Sequence, residues 1–185
     1  MNLQSYWIFL EDRDATFTFG KKLGEALLSC QDCPRLLAAF GDLGAGKTSL
    51  AQGIARGVGV PDSVYVNSPT FAIHQAHQAH QSSGCITYFH HLDLYRLGDE
   101  DDLVHLGLEE LIDTGISYVE WPQRAPYFFR AHPHIQIHLA HLDEWSYCEL
   151  EKLEDGRVLV IKAKAEALAE LLPLISQDFN LQAMT

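Results

Sequence analysis

Residues Gly41-Asp42-Leu43-Gly44-Ala45-Gly46-Lys47-Thr48 fit the pattern G-x-x-x-x-G-K-[ST], and each type in it has a task if the ligand is a chain of phosphates. Glycines at 41, 44 and 46 let the backbone take positive φ angles and approach an anion closely, which residues with a Cβ resist. Successive N–H groups of Gly41 to Ser49 would then turn inward, and the helix opening at Lys47 would add its partial positive charge. Lys47 supplies a full charge to the β and γ phosphates. The Thr48 hydroxyl, one residue later, is placed to ligate a Mg²⁺ that bridges them.

Such a loop also needs a carboxylate for the metal, ordinarily at the carboxyl end of a neighbouring strand. Asp93 follows CITYFHHL and Glu120 follows ISYV. A helix cap or turn carboxylate is the competing role for either one, but two at equivalent places favour chemistry. Between the loop and Asp93 stands Asn67-Ser68-Pro69-Thr70-Phe71. Hydroxyls flanking a proline suit either a plain turn or a segment that senses the γ-phosphate and attacking water.

The elements that must position these groups alternate between strand and helix. Tyr6 to Leu10 reads as a strand. Asp14 and Thr16 are candidate caps for a helix whose Phe19, Leu23, Ala26 and Leu27 share a face. Arg35 to Phe40 is a continuous apolar run, as in a strand covered on both sides, and it leads into the glycine loop. Lys47 to Arg56 is helical, ended by Gly57 and Gly59 ahead of Pro61. Cys85 to Leu92 and Ile116 to Val119 are further strands. The acidic run Asp99 to Asp102 suits the N-terminal end of a helix continuing through His105. Ile135, Ile137 and Leu139 alternate with polar residues, Tyr147 to Leu153 and Arg157 to Ile161 resemble a hairpin at Asp155-Gly156, and Ala165 to Ile175 is an apolar-faced helix. The class is α/β: a P-loop NTPase-like, mostly parallel sheet flanked by helices, with an antiparallel C-terminal hairpin edge.

With 185 residues, 47% hydrophobic and 21% charged, the chain can bury one substantial core, so residues 1–185 are expected to form a single domain. No run approaches the roughly 20 apolar residues of a membrane span, and carboxylates interrupt the N-terminus before a signal core forms. A cytoplasmic protein without membrane contact is expected. Lys and Arg total 13 against 25 Asp and Glu, a formal net charge of -12. That argues against a stand-alone DNA or RNA binder, whose affinity rests on phosphate neutralisation; RNA contact would go through a partner.

Cys30-Gln31-Asp32-Cys33 has redox or half-zinc spacing, but it closes a helix instead of opening one, and Cys85 and Cys148 complete no zinc set. Two reduced thiols near a turn are expected. The segment from His74 to Gly84, HQAHQAHQSSG, spaces histidines by three. Its composition favours a solvated loop over a metal site across 74–81.

Four blocks in order, GDLGAGKTSL, SPTF, HLDLYRL from His91 to Leu97, and VEWP from Val119 to Pro122, resemble the bacterial TsaE family, the ATPase of tRNA threonylcarbamoyladenosine biosynthesis. The resemblance implies a Mg²⁺-dependent ATPase, slow alone, that works with TsaD and TsaB to modify the adenosine beside the anticodon in tRNAs reading codons that start with A. It implies that Gly41, Asp42, Leu43, Gly44, Ala45, Gly46, Lys47, Thr48, Ser49 and Trp121 hold ATP, and that Thr48 and Glu120 hold Mg²⁺. Asp93, Glu120, Lys47 and Thr70 would carry catalysis, with Ser68 beside Thr70. Asp12 to Thr16 matches the stretch passing near the base. Family members often carry an arginine in the turn after the I-H-[IL] strand; residues 142–146 offer none. A nucleotide-gated assembly module with incidental turnover is the second reading. A small-molecule kinase is the third, and seven arginines scattered singly from Arg13 to Arg157 argue against the lid it would need.

Overall fold

The computed structural model describes residues 3–80, 86–98, 103, 107–144 and 155–184. In chain order the elements are β1 (Leu3–Leu10), α1 (Arg13–Ser29), β2 (Leu36–Phe40), α2 (Lys47–Val58), β3 (His74–His80), β4 (Ile86–Asp93), α3 (Leu108–Thr114), β5 (Gly115–Glu120), α4 (Pro126–Ala131), β6 (Ile135–His141), β7 (Arg157–Lys164), α5 (Ala165–Ile175) and β8 (Gln182–Ala183). Among the described residues the strands form one sheet, ordered β3-β4-β5-β2-β6-β7-β1-β8. The central run β4-β5-β2-β6 is parallel. β3 adds antiparallel to β4, and β7, β1 and β8 continue antiparallel beyond β6. The antiparallel extension is thus longer than the expected hairpin, because β1 returns to cover β7.

The apolar runs of the central strands are explained by cover on both faces. In β2, Leu37 and Ala39 join the core under α1, α2 and α5, while Leu36 and Ala38 join the opposite core with Leu108 and Phe129 from α3 and α4. α1 lies unusually close to α2. A Cβ on Gly20 would stand 2.6 Å from the Leu50 carbonyl oxygen, and one on Gly53 or Gly57 would collide with the carbonyl of Phe17 or Lys21. Glycine along this seam lets α1 press on the helix that follows the phosphate loop.

Several expectations need correction. Asp12, not Asp14 or Thr16, caps α1, its side chain accepting from the Ala15 N–H at 2.7 Å. Thr16 instead donates to the Asp12 carbonyl. α2 runs through Gly57 to Val58 and ends at the left-handed Gly59, so Gly57 serves the α1 contact and not termination. The histidine-rich segment is a strand over 74–80, paired with β4 throughout; its ladder satisfies the backbone and turns His77 and Ala79 inward. Cys30 and Cys33 form a disulfide, their Cα atoms 5.6 Å apart across the turn after α1, a separation that suits a bridge. The expectations for Cys85, Asp99 to Asp102, His105, Tyr147 to Leu153 and Cys148 lie outside the described residues. No helix among the described residues is long and apolar enough to cross a membrane.

Candidate nucleotide-binding site

The loop between β2 and α2 has the backbone its glycines imply: φ is 137° at Gly41, 85° at Gly44 and 105° at Gly46. Lys47 is nearly buried, and its Nζ donates to the carbonyls of Gly41 and Asp42, both at 2.7 Å. These bonds fold the side chain back across the loop. Burial pulls its pKa below the ordinary lysine value, while the charges of Glu120, Asp93 and Asp42 act in the opposite direction.

Parallel pairing of β4 with β5 sets Asp93 directly beside Glu120, and both carboxylates are 3% exposed. The Thr48 hydroxyl donates to Glu120 Oε1 at 3.1 Å. Ser68 and Thr70 both donate to Asp93 Oδ2, Thr70 at 3.0 Å, and the Tyr95 N–H donates to Asp93 Oδ1. The SPT segment is thereby tied to the end of β4. Trp121 follows in a left-handed conformation, φ 61°, with Lys47 Nζ 4.4 Å from its ring centroid and Tyr95 packed against it.

Among the predicted residues, Leu43, Gly44, Gly46, Lys47, Thr48, Ser49, Thr70, Asp93, Glu120 and Trp121 line one cavity of about 350 Å³, joined by Ser68 and Tyr95. Gly41 and Asp42 contribute carbonyls to Lys47, and Ala45 is buried beneath the loop. The Asp12 to Thr16 stretch reaches the same loop, since a Cβ on Gly46 would lie 3.7 Å from Thr16 Cγ2. It would also lie 3.1 Å from Cδ and Nε of Arg157, whose Nε is buried with no hydrogen-bond partner among the described residues. The turn at Leu142–Glu144 carries no arginine; among the described residues, Arg157 at the start of β7 borders the glycine loop at Gly46.

Two supporting groups were not foreseen. His91 Nε2 lies 2.9 Å from Glu120 Oε1, and the Tyr118 hydroxyl donates to the Lys47 carbonyl at 2.9 Å. Burial pushes the Tyr118 phenol well above its ordinary pKa, so it stays a donor. The available signal was the strand period: His91 is two before Asp93, and Tyr118 two before Glu120, so each points the same way as its carboxylate. Thr48 and Glu120 offer adjacent hard oxygens facing a cavity, a donor set that suits Mg²⁺.

A glycine loop between strand and helix, its lysine and threonine opposed by carboxylates at parallel strand ends, defines a P-loop NTPase-like protein. The family model described as threonylcarbamoyl adenosine biosynthesis protein TsaE matches residues 10–152. This chain belongs to the TsaE family. It is 36% identical over 145 residues to a tRNA threonylcarbamoyladenosine biosynthesis protein TsaE from Nostoc sp., covering 75% of this chain and 80% of that one. To the protein of the same name from Synechocystis sp. it is 37% identical over 131 residues, covering 68% and 76%. The fold matches the crystal structure of Bacillus subtilis YdiB with a TM-score of 0.63 at 22% identity, covering 96% of this chain and 97% of that one.

Proposed function

We propose that residues 1–185 act as one ATPase unit in the cytoplasm. It would serve threonylcarbamoylation of the adenosine beside the anticodon in tRNAs reading codons that start with A, with TsaD and TsaB as partners and tRNA reached through them. The observation that carries this reading is the meeting of Lys47, Thr48, Asp93 and Glu120 at one cavity in a chain of the TsaE family.

ATP would lay its phosphates along the amides of Gly41 to Ser49, with Lys47 leaving its carbonyl partners to neutralise the β and γ phosphates. Thr48 and Glu120 would hold Mg²⁺, which supplies charge neutralisation on the phosphate oxygens when bound. Asp93, with Ser68 and Thr70 donating to it, would orient the attacking water. In hydrolysis the water oxygen bonds to the γ-phosphorus as the bond to the bridging oxygen breaks, leaving ADP and phosphate with release of the water's proton. Lys47→Ala or Glu120→Ala should abolish ATP turnover and stall tRNA modification reconstituted with TsaD and TsaB. Normal modification by either variant would defeat the reading.

The nucleotide-gated assembly module keeps support from one feature. Leu43 is 73% exposed and Tyr95 41%, both on the cavity wall, an apolar mouth that fits completion by a partner. If a non-hydrolysable analogue sustains repeated rounds of modification, turnover is incidental; if it supports only one, hydrolysis resets the complex.

A further inference from the structure

Glu120 is nearly sealed from solvent, and a buried carboxylate keeps one orientation only if donors hold it. Thr48 supplies one hydrogen bond to Oε1. A hydroxyl that also ligates a cation is constrained by two demands, so a second donor is needed to define the carboxylate. His91 provides it. Its side chain is wholly buried, and Nε2 stands 2.9 Å from the same Oε1. The carboxylate oxygen accepts, so Nε2 carries the hydrogen.

The ring is itself fixed. It packs edge-on against Tyr118, centroids 5.6 Å apart, and beside Phe89. Its Nδ1 is buried and faces no hydrogen-bond partner, leaving Glu120 as the one polar group that sets the ring's orientation among the described residues. Strand register explains the geometry: His91 pairs with Tyr118 one layer below the Asp93 and Glu120 pair. The lower layer of imidazole and phenol therefore supports the upper layer of carboxylates, with Tyr118 also holding the first residue of α2.

We infer that His91 is a positioning residue for the metal-holding carboxylate: by donating to Oε1 it fixes the Glu120 rotamer so that the carboxylate meets the cation already oriented. This rests on the nucleotide-site reading above and assigns to it a group that touches neither nucleotide nor metal. Partners of this kind change metal affinity or activity about 10–100-fold when removed.

The test uses the full chain, with Mn²⁺ as the probe, titrated by electron paramagnetic resonance in the presence of a non-hydrolysable ATP analogue. His91→Phe keeps the ring volume and removes the donor; His91→Gln returns an amide donor near the Nε2 position. Expected are Mn²⁺ binding weakened about 10–100-fold in the Phe variant, substantial recovery in the Gln variant, and affinity for the analogue in EDTA within about twofold of wild type for both. Wild-type Mn²⁺ affinity in a folded Phe variant would overturn the assignment, as would a folded Gln variant no better than Phe. Should the Phe variant not fold, nitrogen-15 spectra of the wild-type chain decide. An Nε2–H tautomer at His91 that shifts on Mg²⁺ addition supports the role, whereas an Nδ1–H tautomer or no response refutes it. Failure of the wild type to bind the analogue would instead bring down the nucleotide-site reading, a distinguishable result.

Discussion

Gly46 occupies a left-handed conformation with Arg157 pressed against the place a Cβ would take. Gly46→Ala should meet both backbone strain of about 1–2 kcal/mol and displacement of Arg157, so ATP affinity should fall about tenfold or more by calorimetry while the protein remains folded. Unchanged affinity would show that the loop tolerates a side chain there. His90 makes a different residue-scale prediction. The Thr114 hydroxyl donates to the Leu111 carbonyl, so it accepts from His90 Nε2–H, and His90 Nδ1 accepts from His74 Nε2–H. A proton on Nδ1 would face another donor, and burial with the neighbouring His74 and His77 pulls the His90 pKa to about 4. Between that value and the ordinary 6.5, the unfolded chain binds a proton the folded chain refuses. Stability is therefore full above 6.5 and is lost as pH falls toward 4, by an amount on the order of 3 kcal/mol. Urea midpoints at pH 7 and 4.5 should differ less in a folded His90→Asn variant than in wild type; an equal difference would place the acid sensitivity elsewhere.

At the scale of elements, the α1 and α2 seam reverses a common expectation. Replacing glycine inside a helix with alanine normally stabilises by about 1 kcal/mol, but at Gly57 the new methyl would strike the Lys21 carbonyl. Gly57→Ala should lower stability by roughly 1–3 kcal/mol through overpacking, seen as a lower denaturant midpoint with the same slope. A raised midpoint would show that the helices separate freely. The parallel strands β2, β4 and β5 were readable because their runs are mostly apolar and stop ahead of Gly41 or at the carboxylates Asp93 and Glu120, whereas β6, parallel to β2, was not, because its alternation of Ile135, Ile137 and Leu139 with polar residues is the pattern of an antiparallel edge. The strand β3 was not readable, because a repeat of three in HQAHQAH conceals a backbone period of two. Gly57 was misread for a related reason: punctuation and close helix approach use the same residue type, and only the neighbouring helix distinguishes them.

For the whole molecule, the excess of acidic over basic residues, a net charge of -12, predicts that the isolated chain binds tRNA more weakly than about 100 μM near physiological salt. Gel retardation showing sub-micromolar binding would contradict this and give the chain a direct RNA role. Loop, lysine and threonine were legible because they are contiguous in sequence, and both carboxylates because each closes a mostly apolar strand run. Long-range order was not: the sheet is completed by β1 pairing with β7, Leu10 opposite Arg157, while β6 pairing with β7 sets Arg157 opposite His141, a residue that itself lies beside Gly44. We propose that the cavity at Lys47 binds Mg²⁺ and ATP. Isothermal titration calorimetry of the wild-type chain with ATP and Mg²⁺ tests it most directly. Saturable heat that disappears in a folded Lys47→Ala variant is the predicted result, and absence of heat in the wild type, with TsaD and TsaB supplied, is the result that would contradict it.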